Sequence, residues 1–250
     1  MIDQQLLNYR ISGNGSPVVF LHGFMEDLSM WDELIPHLPV RAYCVDLPGH
    51  GKSKIDTQIT PSVEYMAKEV QKIIAYEKID HALVIGHSMG GYTALELLRL
   101  IPNLEHIILF HSHPWSDPES KKNDRQRVAE LVQTKATVFI REAIPNLFSN
   151  PAKMESAISH YVRIAEHMKP EAIGWASLAM RNRKDLSYLM EQHPEKFSVI
   201  SGERDKLIQV KALNDFCRQQ HISSVVLPNV GHMAHEENRD EVINLLNTIF

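Results

Sequence analysis

The chain has 250 residues, of which 44% are hydrophobic and 23% are charged, and its formal net charge is -5 at pH 7. This size predicts one compact globular domain that buries a sizeable core and has room for an insertion. An acidic balance disfavours binding to nucleic acid or to an anionic membrane, which needs clustered Lys and Arg side chains. We therefore expect a small-molecule substrate, with neither nucleic acid nor a membrane as partner, while the oligomeric state stays open.

The amino-terminal segment and the cysteines bear on the compartment. The segment MIDQQLLNYR has no positively charged stretch followed by an apolar one, and no run in the chain reaches a membrane-spanning length. Cys44 and Cys217 have neither the spacing of a metal knuckle nor that of a redox pair, so we expect two buried thiols. These features predict a cytoplasmic protein.

Short apolar runs rich in β-branched residues alternate with segments of helical period. This alternation predicts an α/β fold with a mostly parallel central sheet flanked by helices. An antiparallel strand over residues 6–11 leads into a Gly-Asn-Gly turn. The predicted buried strands span residues 18–21, 42–45, 82–85, 107–110, 197–200 and 224–227.

The alternation stops after Phe110 and resumes at Phe197. The intervening stretch contains helical patterns and no convincing strand, which predicts an inserted helical lid at residues 112–192. The α/β core would then comprise residues 1–111 and 193–250. The predicted helices of the insertion span residues 120–147, 151–168, 170–183 and 185–192.

Residues 86–90 read GHSMG and lie between a predicted strand and the helical segment 92–100. This arrangement is typical of a nucleophile elbow, in which glycines on either side of the nucleophile permit a sharp, strained turn. Ser88 would then be presented above the sheet. The alternative is a glycine-rich turn with an inert serine, which the flanking strand and helix disfavour.

At this motif the chain resembles the α/β-hydrolase superfamily, specifically its serine-hydrolase, esterase-like branch with a helical lid, over nearly its whole length apart from the lid. Residues 18–24 (VVFLHGF) resemble the strand and oxyanion loop of that family. The resemblance implies an oxyanion hole formed by the backbone N–H groups of Phe24 and Met89. His22 is expected to brace this loop rather than to transfer protons.

The same resemblance places the remaining catalytic residues after the last strands. Asp205 in the segment SGERD is the expected acid, with Glu203 as the near competitor and Asp117 as a remote one. His232, before the final helix, is the expected base. The chain order Ser88, Asp205, His232 matches the family order.

Of the fourteen histidines, His111 and His113 also stand out, because they follow a strand that should end at the pocket. A metal site is the alternative to pocket lining or lid anchoring, but no third ligand forms a recognisable pattern. We predict no metal and no cofactor. The residues His113, Phe139, Trp175 and Met180 are candidates for substrate contact, with core packing as the alternative for the three lid residues.

A serine at the elbow disfavours chemistry that needs a carboxylate nucleophile, such as dehalogenation or epoxide opening. The resemblance implies hydrolysis of a small carboxylic ester, thioester or lactone through an acyl-enzyme on Ser88. A carbon–carbon bond hydrolase or lyase on the same triad is the first alternative, although Met233 stands where many ring-cleavage hydrolases carry tryptophan. A catalytically silent binding protein is the second.

Overall fold

The computed structural model describes residues 6–250, which form an α/β fold around one seven-stranded sheet. The strands are β1 (Tyr9–Ser12), β2 (Ser16–Leu21), β3 (Val40–Val45), β4 (Leu83–His87), β5 (His106–Phe110), β6 (Phe197–Gly202) and β7 (Ser223–Leu227). Their order is β1-β3-β2-β4-β5-β6-β7. Strand β1 is antiparallel to β3, and the other pairs are parallel.

The sheet is buried on both faces, which explains its nearly continuous apolar strands. Alternate residues point to opposite faces, so Val19 and Leu21 belong to one core cluster while Val18 and Phe20 belong to the other. All the predicted strands are present, and the structure extends several of them by one or two residues. Strand β1 is shorter than its predicted range of 6–11 at the amino-terminal side.

The helices cover both faces and make up the segment between β5 and β6. They are α1 (Val63–Tyr76), α2 (Met89–Leu100), α3 (Glu119–Ala143), α4 (Glu155–Glu166), α5 (Pro170–Arg181), α6 (Ser187–Gln192), α7 (Val210–Gln219), α8 (Ala234–Glu237) and α9 (Arg239–Ile249). No helix between residues 6 and 250 combines the length and apolarity that crossing a membrane requires.

Helices α3 to α6 all lie in the segment that interrupts the strand pattern. Helix α3 contains a kink at Lys135, where φ is -136° and ψ is 35°. A 3-10 turn at Ile144–Leu147 completes the predicted range 120–147, and another at Pro151–Lys153 precedes α4. We call helices α3 to α6 with their connections the inserted segment.

The topology determines where chemistry can be assembled. Strand β4 lies in the middle of the sheet, between β2 and β5. In a parallel α/β sheet the carboxyl ends of the strands share one edge, and ligands bind in the crevice there. The loops after β2, β4, β5, β6 and β7 therefore meet at one edge.

Candidate active site

Ser88 lies in a strained turn between β4 and α2. Its dihedral angles are φ 49° and ψ -111°, a conformation that costs a non-glycine residue about 1–3 kcal/mol. A Cβ added to Gly86 would lie 2.4 Å from the carbonyl of Gly90, and one added to Gly90 would lie 2.4 Å from the oxygen of Leu21. The two glycines thus allow the close approach that holds Ser88 at the end of the central strand.

Asp205 is a buried carboxylate with four hydrogen-bond donors. Its Oδ2 accepts from His232 Nδ1 at 2.7 Å, and its Oδ1 accepts from the backbone N–H groups of Leu207 at 2.8 Å and Ile208 at 3.2 Å. Burial alone would raise the pKa of Asp205, but His232 and His111 beside it hold that pKa well below its usual range. Asp205 is therefore an anion that fixes the orientation of the His232 ring.

The two competing carboxylates have other partners. Glu203 is exposed, and its carboxylate accepts the backbone N–H of Asn229 at 2.9 Å. Asp117 accepts from Arg183 Nη2 at 2.7 Å, in a buried ion pair. Neither carboxylate contacts His232, whereas Asp205 does.

His111 is a fourth member of this group that the sequence did not assign to Asp205. Its Nδ1 lies 3.0 Å from Asp205 Oδ2, and its backbone has a φ of 51°. Burial lowers the pKa of His111 to about 4, despite the hydrogen bond to the carboxylate. The only signal in the sequence was its position after β5, which brings it to the same edge of the sheet.

These three side chains could be read as a metal site, because ligand atoms of His111, Asp205 and His232 all lie within 4.8 Å of one another. Two ligands on a tetrahedral Zn²⁺ ion, with bonds of about 2.0–2.1 Å, would lie ~3.3 Å apart. The two Nδ1–Oδ2 distances are 2.7 and 3.0 Å. These contacts fit hydrogen bonds better than shared metal ligation.

Two backbone N–H groups are unused near Ser88. Those of Phe24 and Met89 donate to no acceptor within residues 6–250. The loop that contains Phe24 is braced by His22, whose Nδ1 donates to the Gly23 carbonyl at 2.7 Å while its Nε2 accepts the Leu47 N–H at 2.9 Å. Since one ring nitrogen donates and the other accepts, His22 is neutral and structural.

A cleft of about 560 Å³ opens at Ser88 and His232. Its volume falls in the range of small-molecule sites, roughly 300–1,000 Å³. The other residues that line it include Tyr92, His113, Trp115, Asp117, Lys121, Arg125, Val128, Leu207 and Ile208. A larger cavity of about 720 Å³ lies between β1 and α4, but none of Ser88, Asp205 and His232 lines it.

Of the four candidate substrate contacts, the structure brings only His113 to this cleft. Trp175 is 3% exposed, donates from Nε1 to the Ile59 carbonyl at 2.7 Å and packs against Tyr65. Met180 is buried in the same core cluster, and Phe139 packs against the cluster on the other face. Each of these three residues fills the space between its helix and the core instead of lining the cleft.

The chain is similar to several known proteins. The chain is 27% identical over 237 residues to the dihydrolipoyllysine-residue acetyltransferase component of acetoin cleaving system from Pseudomonas putida, covering 91% of this chain and 61% of that protein. It is 28% identical to a 2-succinyl-6-hydroxy-2,4-cyclohexadiene-1-carboxylate synthase from Enterobacter sp. (strain 638), and the match covers 88% of this chain and 86% of the synthase.

Among solved structures, a thermophilic esterase from Thermogutta terrifontis with malate bound superposes with a TM-score of 0.89. The two sequences are 25% identical, and the match covers 97% of this chain and 92% of the esterase. Residues 18–245 match the model of the alpha/beta hydrolase family. The chain therefore belongs to the alpha/beta hydrolase family.

Proposed function

We propose that the protein is a serine hydrolase that cleaves a small carboxylic ester through an acyl-enzyme on Ser88. The observation that carries this proposal is the joint placement of Ser88, in its strained turn, and the Asp205-bound His232 at one cleft. The similarity to a solved esterase supports the choice of an ester. Thioesters and lactones react by the same acyl transfer and belong to the proposed substrate class.

In the proposed reaction, His232 Nε2 takes the proton of the Ser88 hydroxyl as its oxygen attacks the ester carbonyl. The N–H groups of Phe24 and Met89 stabilise the oxyanion that forms, and each such donor is worth roughly 3 kcal/mol in the transition state. His232 then protonates the departing alcohol, which leaves the acyl group on Ser88. His232 takes a proton from water as the water attacks the acyl-enzyme, and returns that proton to the Ser88 oxygen when the acid is released.

The inserted segment contributes one wall of the cleft, through residues such as Lys121, Arg125 and Val128 of α3. We therefore propose that it acts as the lid of the site and, with the loop that follows β5, determines which esters enter. Exclusion of water by such a cover strengthens the electrostatic interactions below it.

A fluorophosphonate probe followed by mass spectrometry tests the proposal, because the probe reacts covalently with an activated serine. We expect one adduct, on Ser88, and hydrolysis of p-nitrophenyl esters with a burst of nitrophenol. Ser88→Ala should abolish both and leave the circular dichroism spectrum unchanged. Ser116→Ala, which removes another hydroxyl of the same cleft, should still be labelled on Ser88. An unlabelled wild-type protein would favour a catalytically silent binding protein.

The similarity to a named synthase makes a carbon–carbon bond hydrolase or lyase the second candidate. Such an enzyme would use the same residues on a vinylogous carbon–carbon bond. A substrate screen that sets p-nitrophenyl esters, thioesters and lactones against vinylogous diketones distinguishes the two. Turnover of the diketones alone would replace the ester proposal with this one.

A further inference from the structure

Glu26 and His87 form a fully buried acid–base pair beneath Ser88. Glu26 is 3% exposed and His87 is not exposed at all. His87 Nδ1 lies 2.9 Å from Glu26 Oε2, and His87 Nε2 lies 3.0 Å from the backbone carbonyl of His232. Neither side chain lines the cleft, so neither has a part in the chemistry proposed above.

The partners of His87 determine its protonation state. Both ring nitrogens face oxygen atoms that only accept hydrogen bonds, a carboxylate on one side and a carbonyl on the other. A neutral imidazole has one N–H and would point a lone pair at one of these oxygens. Burial alone would raise the pKa of Glu26, but His87 beside it holds that pKa at about 2, so Glu26 is a carboxylate and cannot donate a proton to the ring. Two acceptor oxygens at hydrogen-bond distance from the two ring nitrogens then match N–H groups on both, which makes His87 an imidazolium cation.

The neighbouring histidines lack this arrangement. His22 has one donor and one acceptor as partners, while Nε2 of His111 and Nδ1 of His235 have no hydrogen-bond partner within the described residues. The charged and titratable groups around His87 are otherwise Asp205 and His232 on the side of the base. Among residues 6–250, Glu26 is the one carboxylate in direct contact with the His87 ring.

The pair also connects three loops. Glu26 Oε2 accepts the backbone N–H of Gly23 at 2.6 Å, next to Phe24 in the proposed oxyanion hole. His87 immediately precedes Ser88 in the elbow. Through its other nitrogen, His87 binds the carbonyl of His232, which belongs to the loop of the proposed base.

We propose that Glu26 and His87 are positioning residues: their carboxylate–imidazolium pair holds the oxyanion loop and the His232 loop in place beside Ser88. Its catalytic consequence rests on the function proposed above. Loss of the charge on Glu26 leaves His87 neutral, and a neutral His87 bonded to position 26 through Nδ1–H points its Nε2 lone pair at the His232 carbonyl. The base loop then moves away from Ser88.

The charge state is tested on the wild-type protein by ¹⁵N NMR of its histidine rings. We expect both ring nitrogens of His87 to show imidazolium shifts at about pH 7–8, well above the pKa of about 6.5 of a free histidine. The signal is assigned by its loss in His87→Gln. A neutral His87 ring at this pH overturns the proposal, whatever the variants do.

The positioning role is tested with Glu26→Gln, which keeps the shape and the acceptor oxygen but removes the charge. We expect the acylation rate to fall by ~100-fold, as for displacement of a reacting group by about 1 Å, with KM changed by less than about threefold. The ring of His87 should become neutral in this variant. Unchanged acylation, or a change in KM alone, overturns the role.

Glu96→Gln is the matched control, because Glu96 is also a buried carboxylate in an ion pair, with Arg99, and lines no part of the cleft. It should leave both the acylation rate and the His87 spectrum unchanged. If Ser88→Ala keeps its activity, the proposed function has failed; if Ser88→Ala is inactive while Glu26→Gln acylates normally, only the positioning role has failed. Should Glu26→Gln not fold, the spectrum of the wild-type protein still decides the charge state.

Discussion

At the scale of single residues, the site depends on the environment of Asp205 and on that of the histidines around it. Each carboxylate oxygen of Asp205 has two hydrogen-bond partners. These are the rings of His232 and His111 on Oδ2, and two backbone N–H groups on Oδ1. This arrangement selects the His232 tautomer with a proton on Nδ1 and leaves Nε2 free to accept a proton. In the proposed mechanism Asp205 therefore acts through orientation and charge, and stays ionised itself.

Asp205→Asn is predicted to lower kcat by about 10⁴, because an amide nitrogen turned towards His232 favours the wrong tautomer. Glu203→Gln is the matched control, since Glu203 lies two residues before Asp205 in the sequence and its carboxylate accepts the backbone N–H of Asn229. Steady-state kinetics on a p-nitrophenyl ester measure both. A larger loss in Glu203→Gln than in Asp205→Asn would show that the wrong carboxylate has been assigned.

At the scale of elements, the inserted segment is attached to the core at both ends of the site. The backbone N–H of His232 donates to the Leu147 carbonyl at 2.8 Å, so the 3-10 turn after α3 helps to hold the base loop. On the other side, Trp175 of α5 binds the Ile59 carbonyl beside α1. These contacts join the inserted segment to the loop of His232 on one side and to the residues before α1 on the other.

Trp175→Ala is predicted to lower the free energy of unfolding by about 3–5 kcal/mol, as is usual for removal of a buried tryptophan side chain. The ratio of activities on short and long p-nitrophenyl esters should stay the same, because Trp175 does not line the cleft. Urea unfolding and ester kinetics measure the two effects. Trp175→Phe, which retains an aromatic ring, should lose less stability. If Trp175→Ala changes the preference for ester chain length, Trp175 contacts the substrate and this prediction is wrong.

Helix α3 also gives the cleft its charge. Arg125 donates from Nε to Asp117 at 3.3 Å, and Asp124 pairs with Arg127 at 3.2 Å. Lys121 lines the cleft and has no carboxylate within ion-pair distance in the part of the chain that the structure describes. The cleft thus presents an unpaired cation to an incoming substrate.

Lys121→Gln is predicted to lower kcat/KM for p-nitrophenyl hemisuccinate by about 3–5-fold at low salt, the effect of one solvent-exposed charge pair. The rate on neutral p-nitrophenyl butyrate should not change. Lys122→Gln is the matched control, because the neighbouring Lys122 is bound to Glu119 at 2.7 Å and does not line the cleft. Equal losses on both esters, or equal effects of the two variants, would contradict this role.

At the scale of the whole molecule, burial of histidines couples stability to pH. Burial lowers the pKa of His50 to about 3, that of His111 to about 4 and that of His113 to about 3. It also lowers the pKa of His235 well below its usual value. The unfolded chain therefore binds protons below about pH 6.5 that the folded chain does not bind, and stability is lost as the pH falls.

The free energy of unfolding is predicted to fall by a few kcal/mol between about pH 7.5 and 5.5. His50, His111 and His113 stay neutral in the folded protein over this range but take up protons in the unfolded chain, at a cost of about 1 kcal/mol each. His87 acts in the opposite direction, because its pKa, which burial alone would lower, is raised by Glu26. Urea unfolding at constant ionic strength measures the slope of this free energy against pH, and His50→Gln should make that slope shallower. Stability that is level or rises towards pH 5.5 would contradict the burial argument.

The sequence by itself determined the fold class and the family, and both are confirmed. The alternation of apolar strands and helices is local and periodic, so it can be recognised in the sequence. A strained turn such as residues 86–90 needs glycines at fixed positions, which makes it recognisable as well. The assignment of Ser88, Asp205 and His232 came from the family resemblance together with the position of each residue after a strand, and it stays a prediction.

Only the tertiary structure decided which side chains meet across the loops. His111 and Asp205 are 94 residues apart, and Glu26 and His87 are 61 apart, so no local pattern links them. Likewise, the apolar residues Phe139, Trp175 and Met180 fit a helix face in the sequence whether that face covers a cleft or a core. Whether such a residue lines the cleft or fills the core depends on the angle at which its helix packs. For Trp175 this packing involves residues distant in sequence, namely Tyr65 and the Ile59 carbonyl.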